Sequence, residues 1–361
     1  MTSLLEAMKR RPRPLTNLHG EDRVILFPSL GHQSASGDHW LIDVHGDVSG
    51  PAGRLSLSKR VLLKLLKRSM RASDEAFAGE LFRERIARFV AHDRPGRRIA
   101  VRIGERVVAL PKKTRPNGHF QAVLRVPTAM AHELAAADGR TDSLLPVEVC
   151  LPDLGMAASG QVRLLGRKGV SIISDIDDTL KHSYVACKRT LLCNTFLKPF
   201  ETIPGMAGLF RAWSETGAAF HYVSSSPWQL YQHLADHLAV EGFPAGSFHL
   251  RAFRLRDHLL RRLLMLRRSG KLSVIRSLVK TFPERQFLLV GDSGEHDPEV
   301  YGAISRRFPR QVAGVFIRQL AGGRDSRRRY AKAFRGVDPQ LVRLFADAEE
   351  LADVRLPSWF L

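Results

Sequence analysis

Cysteine is scarce in this chain: three in 361 residues, Cys150, Cys187 and Cys193. They are odd in number and lack metal-ligand spacing, which argues against a disulfide framework or a zinc site and leaves them as packing residues in a reducing compartment. No stretch has the unbroken apolar length of a membrane span. The opening residues MTSLLEAMKRRPRP lack the apolar core of a secretory signal, so the expected location is cytoplasmic. There is no internal repeat and no low-complexity tract. Negative charge is also in short supply. The 36 acidic residues face 56 Lys and Arg, a net charge of +20. Such a surplus attracts polyanions, whether nucleic acid or an anionic membrane face, or else reflects a general enrichment in arginine.

The length suggests two domains. Residues 1–20 read as a loose basic arm. From 21 to 167 the text is β-rich. RVILFPSLG and WLIDVHGDV are followed by segments at 97–113, 118–127, 146–152 and 160–166, with Gly, Pro and Asn turns between them. Short alternating strands of this kind suggest an antiparallel, sandwich-like domain. It is interrupted by helical periods over 56–72 and 74–90. In the first, Val61, Leu62, Leu65, Leu66 and Met70 form one stripe beside many basic residues. That stripe suits either packing on a sheet or docking on an anionic membrane, and packing is the commoner use. From 168 to 320 apolar strands alternate with helices of about a dozen residues, the rhythm of a parallel doubly wound α/β sheet. The tail, 321–361, reads as helical.

The chemistry-bearing stretch is SIISDIDDTLKHS, 171–183, where an apolar run stops at Asp175, Asp177, Asp178 and Thr179. Carboxylates this close repel one another unless a cation or a reaction uses them. A carboxylate at the carboxyl end of a parallel strand can attack phosphorus, and one two residues later can serve as acid or base. A loop of helix-capping aspartates would give the same letters, so companions must decide. YVSSSPWQLY brings Ser224, Ser225 and Ser226 to a second strand end, before Pro227 as an expected first helical residue. SGK places Lys271 at an expected helix start, where a lysine suggests an anion to pair with. LLVGDSGEHDPEVY ends a third strand at Asp292, with Glu295 and Asp297 close behind. Hard oxygen ligands of this type suit Mg²⁺ beside a phosphate.

SDIDDTLKHS, NTF, PGM, YVSSSPWQL and GDSGEHDPEVY, in this order over about 165–320, resemble the haloacid-dehalogenase-like (HAD-like) phosphohydrolases. More narrowly they resemble the catalytic domain of the actin-patch phosphatidate phosphatases and their bacterial relatives. The resemblance implies Asp175 as nucleophile forming an aspartyl-phosphate and Asp177 as general acid and base, with Thr179 as the threonine of the motif. It implies Ser224 as the phosphate-holding hydroxyl, with Ser225 and Ser226 as alternatives, and Lys271 as the balancing cation. Magnesium would be held by Asp175, Asp292 and Asp297, and by the backbone carbonyl of Asp177. The proline-rich partner-binding segments of the fungal enzyme are absent, so no actin-related role carries over.

About 40 residues separate the first two motifs, too few for a large cap, which favours bulky lipid, polymer or protein phosphates. The segment 252–270 interleaves arginines with leucines and could dock on an anionic bilayer. The expectation is a Mg²⁺-dependent phosphatase of phosphatidate or a related lipid phosphate, cytoplasmic and peripheral at the membrane. The rival readings are a phosphatase of nucleic-acid ends or phosphoproteins, and a non-catalytic phosphate- or membrane-binding module.

Overall fold

The computed structural model describes residues 14–51, 55–136, 144–153, 155–252, 268–320 and 327–356. The chain divides into two compact units: 1–53 with 91–164, and 54–90 with 165–361. The break near 165 lies beside the expected boundary at 167. Residues 54–90 were expected within the β-rich domain and instead belong to the second unit.

The first unit carries β1 (Arg23–Phe27), β2 (Ser29–Gln33), β3 (His39–Gly50), β4 (His92–Asp93), β5 (Ala100–Ile103), β6 (Arg106–Ala109), β7 (His119–Pro127), β8 (Leu144–Cys150) and β9 (Met156–Leu165). The registered pairs are antiparallel, and the nine strands are joined into one hydrogen-bonded sheet through β3. The length of β3 makes the join possible. Its 12 residues pair with β7 along one edge and with β1 and β2 in succession along the other. Alternation then sends Trp40, Ile42 and Val44 into a core shared with Val101, Phe120 and Leu145. Residues 16–18, assigned by sequence to a loose arm, are anchored: Leu18 is buried and Thr16 Oγ1 donates to the Arg98 carbonyl at 2.8 Å.

The second unit is built on a parallel sheet of β10 (Val170–Ser174), β11 (Ala219–Pro227), β12 (Gly246–Arg251), β13 (Gln286–Asp292), β14 (Val312–Arg318) and β15 (Val342–Phe345). In space the order is β12-β11-β10-β13-β14-β15. β10, β13 and β14 are apolar almost throughout, as expected where both faces are covered, and a helix lies in each connection. The chain moves outward from β10 to β12 and then returns to β13 on the other side of β10. That reversal leaves a crevice at the carboxyl ends of β10 and β13, where ligands bind in open α/β sheets.

β15 corrects the helical reading of the tail. The helix Arg327–Ala333 and two 3₁₀ turns are present, but Val342–Phe345 pairs with β14 as an edge strand. Four residues are too short for periodicity to separate helix from strand. A second correction concerns Pro227, which ends β11 and precedes the 3₁₀ turn Trp228–Leu230. The three serines therefore lie in extended chain, beside a register irregularity between Val223 and Pro227. The cysteines are free, and Cys187 is exposed, not a packing residue.

The helix Leu57–Met70 settles between the two uses its stripe allowed: Leu62, Leu66 and Met70 are buried and pack against the helix Lys188–Phe196. The helix Glu80–Val90 packs there too, with Phe82 and Phe89 edge-on to Phe196. Arg85 ties these helices together. Its buried guanidinium donates from Nη1 to the carbonyls of Asn194, Thr195 and Lys198 at 3.2, 2.7 and 2.6 Å and lies over the Phe200 ring at 3.7 Å. These are carbonyls at a helix C-terminus, which otherwise lack donors. Arg85→Met is expected to lower stability by about 2–3 kcal/mol, the cost of leaving such acceptors unsatisfied. Urea unfolding with an unchanged m-value would check it. Among the described residues no helix is long and apolar enough to cross a membrane, and 253–267, within the arginine–leucine segment, lies outside them.

Candidate active site

Asp175 is the first residue beyond β10, and its N–H donates to the Val290 carbonyl of β13 at 2.9 Å, which fixes it at the crevice. The chain then turns sharply, with Leu180 N donating to Ile176 O at 2.9 Å. Asp178 takes the left-handed conformation at φ 55°, one that aspartate tolerates better than most side chains. Its carboxylate accepts from the amides of Ser183, Tyr184 and Val185 at 2.7, 2.8 and 2.7 Å. Asp178 thus closes the loop and is a structural residue.

Asp175 is fully buried, and its Oδ2 has no hydrogen-bond partner among the described residues. The Lys271 ammonium lies 3.0 Å from Oδ1. The same ammonium reaches Asp297 Oδ1 at 2.5 Å and Glu295 at 3.5 Å. Lys271 is the fourth residue of the helix Arg268–Thr281, and the anions its position suggested are these three carboxylates. Asp292 ends β13. Its Oδ1 accepts from Gly294 N at 2.5 Å and Glu295 N at 3.1 Å, while Oδ2 has no partner. Asp297 opens the helix Asp297–Arg307, and its Oδ2 accepts from Asp292 N at 3.3 Å. Gly291 permits this approach, since a Cβ there would stand 2.3 Å from Asp297 Oδ2.

Asp175, Asp292 and Asp297 each offer an oxygen within 4.8 Å of the others. Burial, and then the neighbouring carboxylates, push Asp175 and Asp292 well above the usual carboxylate range, with Lys271 opposing. Burial alone would lower Lys271, but Asp175, Asp297 and Glu295 hold it well above its ordinary value. Hard oxygen donors that repel one another, with Asp175 Oδ2 and Asp292 Oδ2 unpartnered among the described residues, fit a divalent cation. The carboxylate of Asp177, which the resemblance offers to the metal only through its backbone carbonyl, turns away from this trio.

Asp177 Oδ1 instead accepts from Lys181 Nζ and Ser183 Oγ, both at 2.7 Å. Its Oδ2 accepts from Ser224 Oγ at 3.0 Å and Ser226 Oγ at 2.7 Å. Burial opposes its ionisation, yet Lys181 and the hydroxyl donors hold its pKa well below the usual range. Ser225 Oγ donates to Glu295 at 3.1 Å, so the three serines are shared between two carboxylates. Thr179 is buried, and its Oγ1 has no partner among the described residues.

The sequence offers Glu295 only as one of several acids near Asp292 and gives no site role to Lys181 or Ser183. The available signal for Lys181 is its place four residues after Asp177. Burial, then charge from Asp297 and Asp177, raises Glu295 to about 7 against the opposing pull of Lys271. Between the ordinary value and 7 the native state binds more protons than the unfolded chain, so this group's contribution to stability falls as pH rises through that window. In metal-free buffer, Glu295→Gln is therefore expected to gain melting temperature on the unsubstituted protein between about pH 5 and 7. Paired melting curves across that range check it.

Fold and site together define a parallel α/β domain with a buried carboxylate–lysine centre at its switch point. Residues 170–319 match the family model described as the catalytic domain of phosphatidate phosphatase APP1, which is the resemblance carried by the motifs. An uncharacterized protein of Schizosaccharomyces pombe is 36% identical over 169 residues, 45% of this chain and 27% of that protein. Phosphatidate phosphatase APP1 of Saccharomyces cerevisiae is 32% identical over 154 residues, 42% of this chain and 26% of that protein. The chain thus spans about a quarter of the length of these relatives. Among solved structures, a β-glucuronidase of Parabacteroides merdae aligns at 10% identity over 83% of this chain and 34% of that one. Its TM-score of 0.25 is too low to bear on the fold.

Proposed function

We propose that the second unit is a HAD-like, Mg²⁺-dependent phosphomonoesterase that works through an aspartyl-phosphate, with phosphatidate or a related lipid phosphate as substrate. The observation that carries it is Asp175: a buried carboxylate with Oδ1 paired to Lys271 and Oδ2 without a partner among the described residues, at the carboxyl end of the central strand. In the first step Asp177, protonated from solvent against the pull of Lys181, gives that proton to the leaving alcohol while an Asp175 oxygen forms a bond to phosphorus and the bond to the alcohol breaks. In the second, water attacks phosphorus, the bond to Asp175 breaks, and Asp177 takes the proton. Lys271 offsets negative charge at the nucleophile. Ser224 and Ser226, already aimed at Asp177, orient that carboxylate and can turn to a phosphoryl oxygen. Asp175, Asp292 and Asp297 would hold the magnesium ion, which when bound supplies further compensation of phosphate charge.

The lipid half of the proposal rests on the matched family and on the name of the yeast relative. Contact with an anionic membrane and a cytoplasmic location belong to the same proposal. Turnover of dioleoyl phosphatidate vesicles should exceed turnover of 3′- and 5′-phosphorylated oligonucleotides at equal Mg²⁺. The reverse preference would replace the lipid reading with a nucleic-acid one.

A further inference from the structure

A pocket opens beside Asp177 whose chemistry differs from that of the acidic centre. Its polar end is made by Asp177, Ser226 and Glu295, and its walls by Phe89, Leu191, Leu192, Phe196 and Leu230. Leu191, Leu192 and Phe196 come from the helix Lys188–Phe196 in the connection after β10, and Phe89 from the helix Glu80–Val90. Arg85 and the Phe89–Phe196 ring contact, with centroids 5.4 Å apart, hold those two helices together.

We infer that this pocket takes the first part of an acyl chain on the leaving alcohol, and so sets the enzyme's preference for acyl-bearing phosphate esters. The inference rests on the phosphomonoesterase reading for its orientation. A group that hands a proton to the departing oxygen must adjoin the alcohol that departs, and Asp177 lines this pocket. Whatever leaves therefore starts from the pocket's polar end. Beyond that end the walls are aliphatic and aromatic apart from Thr195, whose hydroxyl proton is already given to the Leu191 carbonyl at 2.7 Å. A sugar or nucleoside alcohol placed there would lose its hydration and find only the Thr195 oxygen in return, a loss of discriminating size. An acyl chain would gain about 0.8 kcal/mol for each methylene removed from water, so two methylenes already give more than about tenfold.

The test separates binding from turnover. The Asp175→Asn protein in Mg²⁺ buffer is titrated calorimetrically with dihexanoyl phosphatidate, kept below its micelle concentration, and with glycerol 3-phosphate. Two pocket changes are then added singly: Thr195→Trp, which fills the lining, and Leu191→Asn at a half-buried position. Melting curves confirm that each variant is folded. The acyl compound should bind about tenfold or more tighter, and at least one folded variant should erase most of that preference. Equal binding of the two compounds overturns the inference, as does a preference that survives both changes. Preferential binding without hydrolysis by the unsubstituted protein would leave the pocket standing and sink the phosphatase reading.

Discussion

Asp175→Asn should yield a protein that folds, melts higher than the unsubstituted chain in metal-free buffer, and has lost turnover by about four orders of magnitude or more. The loss follows from chemistry. An amide cannot form the acyl-phosphate, and among the described residues no second carboxylate stands beside Lys271 at the end of β10. The gain follows from electrostatics. Burial and three neighbouring carboxylates push the Asp175 pKa well above the usual range, so its ionised form is a strained guest of the native state. Above the ordinary carboxylate value that ionisation costs the native state more as pH rises, and asparagine removes the cost. Lys271 keeps Asp297 and Glu295 as partners in the variant. Saturating Mg²⁺ should reverse the order, because ions that bind only the native state stabilise it by about 2.7 kcal/mol at a hundredfold excess over Kd. Phosphate release and thermal melts with and without Mg²⁺ check both halves. Activity that survives the substitution would remove Asp175 from the mechanism.

Lys181→Met should be the most damaging single change outside the acidic trio, costing about 3–5 kcal/mol at neutral pH. Lys181 Nζ stands 2.7 Å from Asp177 Oδ1, and both side chains are almost wholly enclosed. Methionine keeps the shape and leaves a buried carboxylate whose cation is gone. In the unsubstituted protein the pKa of Asp177 is depressed. The stability it contributes is present above its ordinary value and lost as pH falls below it. In the variant its pKa should rise, so the deficit should shrink on acidification, and Asp177→Asn placed on top of Lys181→Met should restore part of it. Denaturant titrations of the four proteins in the cycle give the coupling directly. The same change should move the basic limb of the kcat/KM profile, set by loss of the proton Asp177 donates, upward in pH, a shift that a purely structural lysine would not cause.

The chemistry of the site was legible because each strand that feeds it ends an apolar run with a polar residue the core cannot use. Ile172 and Ile173 before Asp175, Leu288 to Val290 before Asp292, and Val223 before Ser224 are local signals, readable in short windows. The parallel sheet was legible for the same reason, since its strands are apolar runs separated by helix-length segments. What stayed hidden was long-range. Leu62, Leu66 and Met70 announce a buried stripe but not the helix that covers it, so 54–90 was assigned to the wrong unit. β15 is too short to show a period. The ion pair of Asp177 with Lys181 is written in the sequence as a spacing of four, yet only the turn at Asp178 brings the two together.

The central claim is that phosphorus passes through Asp175. Its most direct measurement is an acid quench of enzyme, Mg²⁺ and phosphatidate carrying labelled phosphorus, followed by peptide mapping. The account predicts transient label on the peptide containing Asp175 and none in the Asp175→Asn protein. Phosphate release with no labelled peptide at any quench time, or label on a different residue, would contradict it.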